Sequence, residues 1–248
     1  MTATRPLESQ TAIVTGASAG IGEASVGALA EAGANVVLAS RRRDTLQSIA
    51  DVAAEDYDVE TLVVETDVTD EDDVARLVER AVSTFGSLDV LVNNAGLVRG
   101  GGNVADLTTE EYRHMMAVNT DGMFFTTRAA LPSLRESAGT LVFVGSFAGQ
   151  YPRPGNPVYA ATKWWTRGFA KSVSAAEGDS GLAVTVINPS EVRTQFGSEE
   201  GDPLEARYEE GEVLEPEDVA DAVVFAAKQD TGMVGELDLY RRDKFAGF

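Results

Sequence analysis

Cysteine is absent from the 248 residues of this chain, and histidine occurs only once, as His114. The lack of cysteine excludes a disulfide framework, a thiolate metal site and a cysteine nucleophile. Long apolar stretches are also missing: none approaches the roughly 18 residues of a membrane span, and the opening MTATRPLESQ has no apolar signal core. These absences predict a soluble cytoplasmic protein without membrane association or a bound metal. We interpret His114 as a surface histidine or one whose hydrogen bonds are satisfied within the fold.

Positive charge is scarce as well: 20 lysines and arginines face 40 acidic residues, which gives a formal net charge of -20. Nucleic acid is not an expected partner, because its binding depends on basic residues that displace phosphate counterions. A surface this acidic, with lysine only at positions 163, 171, 228 and 244, repels itself at low ionic strength. The composition resembles that of haloarchaeal proteins and predicts a host with high internal salt. An ordinary acidic protein is the alternative.

Short apolar runs alternate with helical patterns along the chain, whose length suits one large α/β domain. Such alternation is typical of a parallel sheet with right-handed crossovers, which binds ligands at the carboxyl ends of its strands. The sequence predicts one domain over residues 1–248, a doubly wound parallel sheet of about seven strands with helices on both faces, of the Rossmann type. The predicted strands are 11–15, 35–40, 61–65, 88–92, 140–145, 182–188 and 233–240, and the predicted helices include 24–32, 45–54, 71–85, 108–135 and 215–228.

A glycine-rich turn, GASAGIG at residues 16–22, joins the first predicted strand to the first predicted helix. In such a unit the glycines let the backbone approach a pyrophosphate, and the helix N-terminus adds free N–H groups and a positive dipole end. The spacing Gly-x-x-x-Gly-x-Gly differs from the general dinucleotide fingerprint. Any tight turn between a strand and a helix also favours glycine.

Three arginines follow the second predicted strand, where an acidic residue would bond the ribose 2′-hydroxyl of NAD. Here Ser40 is followed by Arg41, Arg42 and Arg43. Guanidinium groups at this point suit a 2′-phosphate, and we assign that role mainly to Arg41. The alternative is that the arginines only begin a helix as surface charge.

A tyrosine and a lysine, Tyr159 and Lys163, stand four residues apart in a predicted helix and so face the same way. A neighbouring lysine favours the phenolate, which would let the tyrosine exchange a proton near neutral pH. The pair predicts a general acid/base. The alternative is a core aromatic beside a surface lysine, and the adjacent Trp164 and Trp165 predict one core residue and one subunit contact.

Further polar residues follow the ends of the later strands. The turn Asn93–Gly96 can tie neighbouring strands through its amides, and Ser146 ends the fifth strand. Asn119, inside the long predicted helix, marks either a bend or a surface amide. The polar segment 191–213 has the composition of a mobile lid.

Together these residues resemble the classical short-chain dehydrogenase/reductase family over almost the whole chain. The resemblance rests on TGASAGIG at 15–22, NNAG at 93–96, Asn119, Ser146 and Tyr159-x-x-x-Lys163. It implies that Tyr159 is the acid/base and that Ser146 positions the carbonyl oxygen. It also implies that Lys163 lowers the tyrosine pKa and bonds the nicotinamide ribose, and that Asn119 supports a proton path behind the lysine.

The resemblance further implies a nicotinamide cofactor, with the NADP(H)-preferring members as the nearest pattern. Ala19 stands where many of those enzymes carry a second basic residue, so use of NAD(H) as well stays open. Ser190 replaces the usual glycine after Pro189. The implied cofactor-binding residues are Gly16, Ser18, Gly20, Ile21, Gly22, Ser40, Arg41, Asp67, Val68, Asn94, Ala95, Gly96, Tyr159, Lys163, Pro189, Val192 and Thr194.

The function that follows is hydride transfer between NADP(H) and a small-molecule secondary alcohol or carbonyl compound, by a homotetramer built on the helices near 108 and 159. A 3-oxoacyl-thioester reductase would share all four catalytic residues. A catalytically silent dinucleotide-binding regulator is the alternative from another class. Substrate choice is expected to lie in segments 100–104, 147–154 and 195–213.

Overall fold

The computed structural model describes residues 5–197 and 201–246. Seven strands form one parallel sheet: β1 Thr11–Thr15, β2 Asn35–Ser40, β3 Thr61–Glu65, β4 Val90–Asn93, β5 Thr140–Val144, β6 Ala183–Pro189 and β7 Glu236–Leu239. Their order is β3-β2-β1-β4-β5-β6-β7, and every neighbouring pair is parallel. The predicted fold class is confirmed.

Helices connect the strands and cover both faces of the sheet. They are α1 Gly20–Glu31, α2 Arg43–Tyr57, α3 Glu71–Phe85, α4 Thr109–Met116, α5 Met123–Ser137, α6 Pro157–Ala176, α7 Leu204–Arg207 and α8 Pro216–Ala227. Within the described ranges, no helix is both long enough and apolar enough to cross a membrane.

Each central strand is buried on both faces, which explains its uninterrupted apolar sequence. Val14 and Leu38 belong to a core layer that includes residues of α1, α2 and α8, whereas their neighbours Ile13 and Val37 belong to the opposite layer with α3, α5 and α6. Adjacent residues of one strand therefore stabilise opposite faces. One of the two adjacent indoles was predicted to belong to the core. Trp165 packs against the second core layer, where it stacks on Phe169.

The strand order reverses at β1, which pairs with β2 on one side and β4 on the other. The chain winds outward from β1 to β3 and then returns to β4. The crevice at such a reversal, outside the carboxyl ends of the strands, is where open α/β sheets bind ligands. The glycine turn after β1 and the Asn93–Gly96 turn after β4 both lie there.

The long helix predicted over 108–135 is interrupted. Thr108 and Glu111 form a capping box before α4, and a π-helical turn, Ala117–Gly122, separates α4 from α5. A Cβ at Gly122 would lie 2.8 Å from Cγ2 of Val68, so glycine permits the turn to pack there. Asn119 sits in this turn and is buried. The surface-amide alternative is therefore wrong, and the interruption of the helix lies where a bend was predicted.

The predicted lid segment, 191–213, is attached to the fold at both ends. Val192 forms a parallel bridge with Leu214, and the Arg193 guanidinium pairs with the Glu215 carboxylate at 2.9 Å. The short helix α7 lies between these attachments. Residues 198–200 of the segment are outside the described ranges, and its mobility stays a prediction.

Candidate active site

A cavity of about 500 Å³ opens at the carboxyl ends of β1, β4, β5 and β6. It is lined by every predicted site residue except Gly22 and Asn119, both of which lie behind its wall. The lining residues that the sequence pointed to are Gly16, Ser18, Gly20, Ile21, Ser40, Arg41, Asp67, Val68, Asn94, Ala95, Gly96, Ser146, Tyr159, Lys163, Pro189, Val192 and Thr194.

The glycine turn has the backbone geometry that only glycine adopts readily. Gly16 has φ +65° and Gly20 has φ +54°, in the left-handed region. A Cβ at Gly22 would lie 2.2 Å from the Gly16 carbonyl oxygen, so this third glycine permits α1 to pack against the turn. Ala19, the N-cap residue of α1, has no polar side chain to cover the first N–H groups. Uncapped N–H groups at the start of a helix favour anions such as phosphate.

Asn94 ties the ends of β1 and β4 together beside this turn. Its Nδ2 donates to the Thr15 carbonyl oxygen at 2.9 Å, and its backbone N donates to the Thr15 hydroxyl at 3.0 Å. Asn93 points the other way and bonds Thr126 and Thr127 of α5. Asn94 ties two neighbouring strands as the sequence predicts, whereas Asn93 bonds a helix and not a second strand.

Arg42 occupies a position that the sequence reasoning underrated. Its Nε donates to the Ser18 hydroxyl at 3.0 Å, and its backbone N donates to the Ser40 hydroxyl at 3.2 Å. Arg41 and Arg42 both line the cavity, whereas Arg43 is the first residue of α2. The run of three arginines gave no signal for which side chain would turn toward Ser18.

Lys163 is buried beneath the cavity floor, so the surface-lysine alternative is wrong. Its Nζ donates to the carbonyl oxygen of Val144 at 2.9 Å and lies 5.8 Å from the centroid of the Tyr159 ring. Burial lowers the pKa of Lys163 from 10.5 to about 8, because the charged ammonium loses water. The lysine thus joins α6 to Val144 at the end of β5. Val144 lies two residues before Ser146 in the sequence.

The environment of Tyr159 differs from the expectation that a neighbouring lysine would lower its pKa. Burial of the hydroxyl raises the pKa of Tyr159 above its ordinary value of 10.0, and the Ser146 hydrogen bond and the Arg153 charge offset this only in part. Desolvation outweighs the neighbouring charges here. In this arrangement the phenol keeps its proton at neutral pH.

Ser146 follows β5 and presents its hydroxyl to the cavity. Its Oγ accepts a hydrogen bond from the backbone N of Ala148 at 3.1 Å, which fixes the side chain at the start of a short 3₁₀ turn. Gly145 precedes it, and a Cβ there would lie 2.3 Å from Oδ1 of Asn188. This close packing holds the strand end on which the hydroxyl is placed.

Asn119 supports the cavity wall from behind. Its Oδ1 accepts from the backbone N of Leu97, and its Nδ2 donates to the Leu97 carbonyl oxygen, both at 2.8 Å. The same Nδ2 donates to the Thr162 hydroxyl at 3.1 Å. Both Nδ2 hydrogens are therefore used, and only Oδ1 retains a lone pair that a water molecule could bond.

Around Tyr159 the cavity is lined by residues that no sequence motif marks. The ring of Phe196 lies 5.7 Å from the ring of Tyr159, and Arg153 and Glu191 also line the cavity. Of the segments predicted to choose the substrate, 147–154 and 195–213 contribute lining residues, whereas 100–104 contributes none in the described structure and its neighbour Arg99 does. His114 lies in the last turn of α4, away from this lining.

The cavity reverses the charge balance of the chain. Five cationic residues line it against two acidic ones, although acidic residues are twice as numerous as basic ones in the sequence. Such a concentration of one sign in a cleft attracts anions locally. The cationic lining residues are Arg41, Arg42, Arg99, Arg153 and Lys163. In the described residues, no cluster of three or more histidine or acidic side chains could hold a metal ion.

Comparisons with known proteins agree with this geometry. The family described as short chain dehydrogenase matches residues 10–204. An uncharacterised oxidoreductase from Staphylococcus aureus (strain MRSA252) is 36% identical over 226 residues, covering 90% of this chain and 93% of the relative. An NADP-dependent 3-hydroxy acid dehydrogenase from Schizosaccharomyces pombe is 33% identical over 234 residues, covering 92% and 90%.

Two solved structures superpose over nearly the full length. An alcohol dehydrogenase from the archaeon Thermococcus sibiricus, complexed with 5-hydroxy-NADP, has a TM-score of 0.86 at 30% identity and covers 93% of this chain and 96% of its own. A 3-ketoacyl-(acyl-carrier-protein) reductase from Brucella melitensis, complexed with NADH, has a TM-score of 0.87 at 28% identity and covers 96% and 100%.

Proposed function

Because this chain is an oxidoreductase of the short-chain dehydrogenase family, we propose that it interconverts a secondary alcohol and a carbonyl compound with NADP(H), using Tyr159 as the general acid/base. One observation carries the proposal: the Tyr159 and Ser146 hydroxyls and the Lys163 ammonium meet in one cavity whose other end is the glycine turn. A proton donor, an oxygen-binding group and a phosphate-binding turn are the parts this chemistry needs.

The residues present fit a nicotinamide dinucleotide. The backbone at Gly16 and Gly20 leaves room for a diphosphate, while Asp67 and Val68 would contact the adenine and Pro189, Val192 and Thr194 the nicotinamide. When bound, the cofactor supplies or accepts the hydride. Lys163 would bond the ribose next to the nicotinamide, because its ammonium is a buried cation that lines the cavity close to the Tyr159 ring.

Proton transfer falls to Tyr159. Since its raised pKa keeps the phenol protonated at neutral pH, it is ready to give a proton to a carbonyl oxygen in reduction. Ser146 would donate its hydroxyl hydrogen to that oxygen, because a carbonyl oxygen can only accept, while the Ser146 oxygen accepts from Ala148 N. In oxidation the phenol must first lose its proton, and the charges of Lys163 and Arg153 would favour that step.

Preference for NADP(H) rests on the arginines after β2. The residues directly after β2 are arginines and not an acidic residue, and Arg41 and Arg42 line the cavity beside Ser18 and Ser40. Guanidinium groups pair with a phosphate by charged hydrogen bonds, which a 2′-hydroxyl cannot offer. Use of NAD(H) in addition is compatible with Ala19, which adds no charge.

A 3-oxoacyl-thioester reductase is the second candidate, favoured by the likeness to the Brucella melitensis enzyme. A catalytically silent regulator would not need the proton-transfer residues. Purified protein assayed with NADPH against a panel of ketones, oxo acids, aldoses and acyl thioesters in molar KCl separates these candidates. Turnover of a carbonyl compound supports the proposal. Binding of NADPH without turnover of any carbonyl compound overturns it in favour of the regulator.

We extend the proposal to a cytoplasmic homotetramer in a high-salt host. The helices near the predicted subunit contact carry exposed aromatic side chains, Tyr112 on α4, Phe124 on α5 and Trp164 on α6. Burying them against other subunits would stabilise an oligomer. Light scattering in high salt tests this, and a monomer mass contradicts it.

A further inference from the structure

Resting on the proposed function, we propose that Arg153 binds a carboxylate of the substrate, so that the enzyme acts on oxo acids and hydroxy acids in preference to neutral ketones and alcohols. The placement of Arg153 and the neutralisation of Glu191 by Lys244 carry this inference, and neither depends on the arginines assigned to the 2′-phosphate.

Arg153 lies in the loop between Ser146 and α6, six residues before Tyr159. It lines the cavity together with Ser146, Phe147 and Tyr159, and 44% of its side chain is exposed. A group that occupied the cavity next to the Tyr159 hydroxyl would therefore lie within reach of the guanidinium. The charge of Arg153 already acts on the Tyr159 phenol.

The acidic neighbour of Arg153 is already paired with a different cation. Nζ of Lys244 lies 2.6 Å from Oε1 and 2.8 Å from Oε2 of Glu191, whereas the Arg153 guanidinium lies 3.6 Å from Oε1. Only 8% of the Lys244 side chain is exposed, and its ammonium lies 4.2 Å from the centroid of the Phe147 ring. Burial raises the pKa of Glu191, but the Lys244 bonds outweigh it, so the carboxyl is ionised.

The charges at this end of the cavity do not cancel. Lys244 neutralises Glu191, and Arg241 lies 3.9 Å from Glu191 and 3.3 Å from Asp243. Among the described residues, the half-exposed Arg153 side chain has one long contact to a carboxylate, at 3.6 Å, and that carboxylate is already paired with Lys244. An incoming carboxylate can form two parallel N–H···O bonds with the guanidinium, and such charged pairs are stronger than neutral hydrogen bonds.

Of the cationic lining residues, Arg41, Arg42 and Lys163 are assigned to the cofactor above, whereas Arg153 lies between Ser146 and Tyr159 in the sequence and lines the cavity with them. A chain with a net charge of -20 repels small anions at long range, so a site for such anions needs local cations. In the reduction, the carbonyl carbon gains a hydride from NADPH and the carbonyl oxygen gains the Tyr159 proton. The C=O double bond becomes a C–O single bond, and the carboxylate on Arg153 is unchanged.

Pairs of probes that differ only in charge test the proposal. We would assay 2-oxobutanoate, 3-oxobutanoate and their methyl esters with NADPH, and compare the ratio of kcat/KM for each acid to that for its ester. One or two charged hydrogen bonds of about 1.5 to 3 kcal/mol correspond to a preference of about 10- to 150-fold for an acid. In Arg153→Gln this ratio should fall at least about tenfold, mainly through KM of the acid, and Arg153→Lys should restore part of it.

Arg242→Gln is the matched control. It removes the same charge from an exposed tail position that does not line the cavity, so the ratio should stay at the wild-type value. Reduction of esters or acyl thioesters without any preference for acids, or an equal ratio in wild type and Arg153→Gln, overturns the carboxylate site and leaves the proposed function standing. Failure of the wild type to reduce any carbonyl compound with NADPH overturns the proposed function itself.

Discussion

Asn119 and Leu97 are joined in both directions: the amide oxygen of Asn119 accepts from the Leu97 N–H, and the amide nitrogen donates to the Leu97 carbonyl, each at 2.8 Å. The Asn119 side chain thereby bonds the backbone of Leu97 as a neighbouring strand would, although Leu97 lies beyond the end of β4. Leu97 lines the cavity directly after the Asn93–Gly96 turn. The π-helical turn thus fixes the position of the wall against which a bound cofactor would lie.

Replacing Asn119 by Ala should lower both stability and turnover. Two backbone groups of Leu97 lose their partners, which costs about 1 to 3 kcal/mol each when they stay unsatisfied, so we expect the free energy of unfolding to fall by about 2 to 6 kcal/mol. The control is Asn93→Ala, a buried amide whose bonds go to α5 instead. Urea unfolding and kcat measured on both variants should show similar losses of stability but a larger loss of turnover for Asn119→Ala. Equal turnover in the two variants would contradict the positioning role.

Lys163→Met should make the folded chain more stable at neutral pH while abolishing turnover. The shift of the Lys163 pKa from 10.5 to about 8 corresponds to roughly 3 kcal/mol of destabilisation at pH 7. Loss of the bond to Val144 O offsets about 1 kcal/mol of the gain. Because the unfolded lysine binds more protons than the folded one between pH 8 and 10.5, wild-type stability rises over that window and the advantage of the variant disappears.

Urea midpoints at pH 7 and pH 10 check this prediction. Lys171→Met is the control on the same helix, because the Lys171 side chain is exposed and pairs with Glu236 at the surface. Its stability difference from wild type should change little between the two pH values. A Lys163→Met variant that is less stable than wild type at both pH values would be evidence against the desolvated ammonium.

Arg41→Ala and Arg42→Ala should each weaken NADPH binding far more than NADH binding. If both arginines bind the 2′-phosphate as proposed, each substitution removes a charged hydrogen bond of about 1.5 to 3 kcal/mol, a factor of about 10 to 150 in Kd. Arg43→Ala is the control, since Arg43 begins α2 outside the cavity lining. Fluorescence titration of both cofactors measures the effect. Equal losses for NADPH and NADH would place the 2′-phosphate elsewhere.

The acidic surface predicts that salt stabilises the fold. Screening of repulsion among 40 acidic residues should raise Tm as KCl increases from the low to the molar range. Differential scanning calorimetry with sucrose as an uncharged comparison separates screening from general solute exclusion. A flat or falling Tm in KCl would favour the alternative of an ordinary acidic protein.

The sheet could be predicted from the sequence because its strands are buried on both faces and therefore read as apolar runs. Thr11–Thr15, Asn35–Ser40 and Thr61–Glu65 have the predicted bounds. The last strand, Glu236–Leu239, is shorter than predicted, because the apolar pattern continues past the paired residues. The position of the crevice could be predicted from the topology alone, since parallel strands bring their carboxyl ends to one edge of the sheet.

What the sequence could not show depends on side chains that meet from distant positions. Lys244 contacts Glu191 and Phe147 across 53 and 97 positions, and no local pattern marks either contact. The prediction that the Tyr159 pKa is lowered was wrong for the same reason. Spacing on a helix reveals the nearby lysine, but the loss of water around the hydroxyl depends on the whole fold.

The central claim is that Tyr159 transfers the proton, and Tyr159→Phe tests it most directly. The variant keeps the ring and its contact with Phe196 but lacks the hydroxyl, so NADPH binding should be nearly unchanged while kcat falls by about two to four orders of magnitude. Tyr151→Phe, which removes a hydroxyl from a ring stacked on Phe147 outside the cavity lining, should keep most of its turnover. Turnover by Tyr159→Phe at the wild-type rate, with either direction of the reaction assayed, would contradict the account.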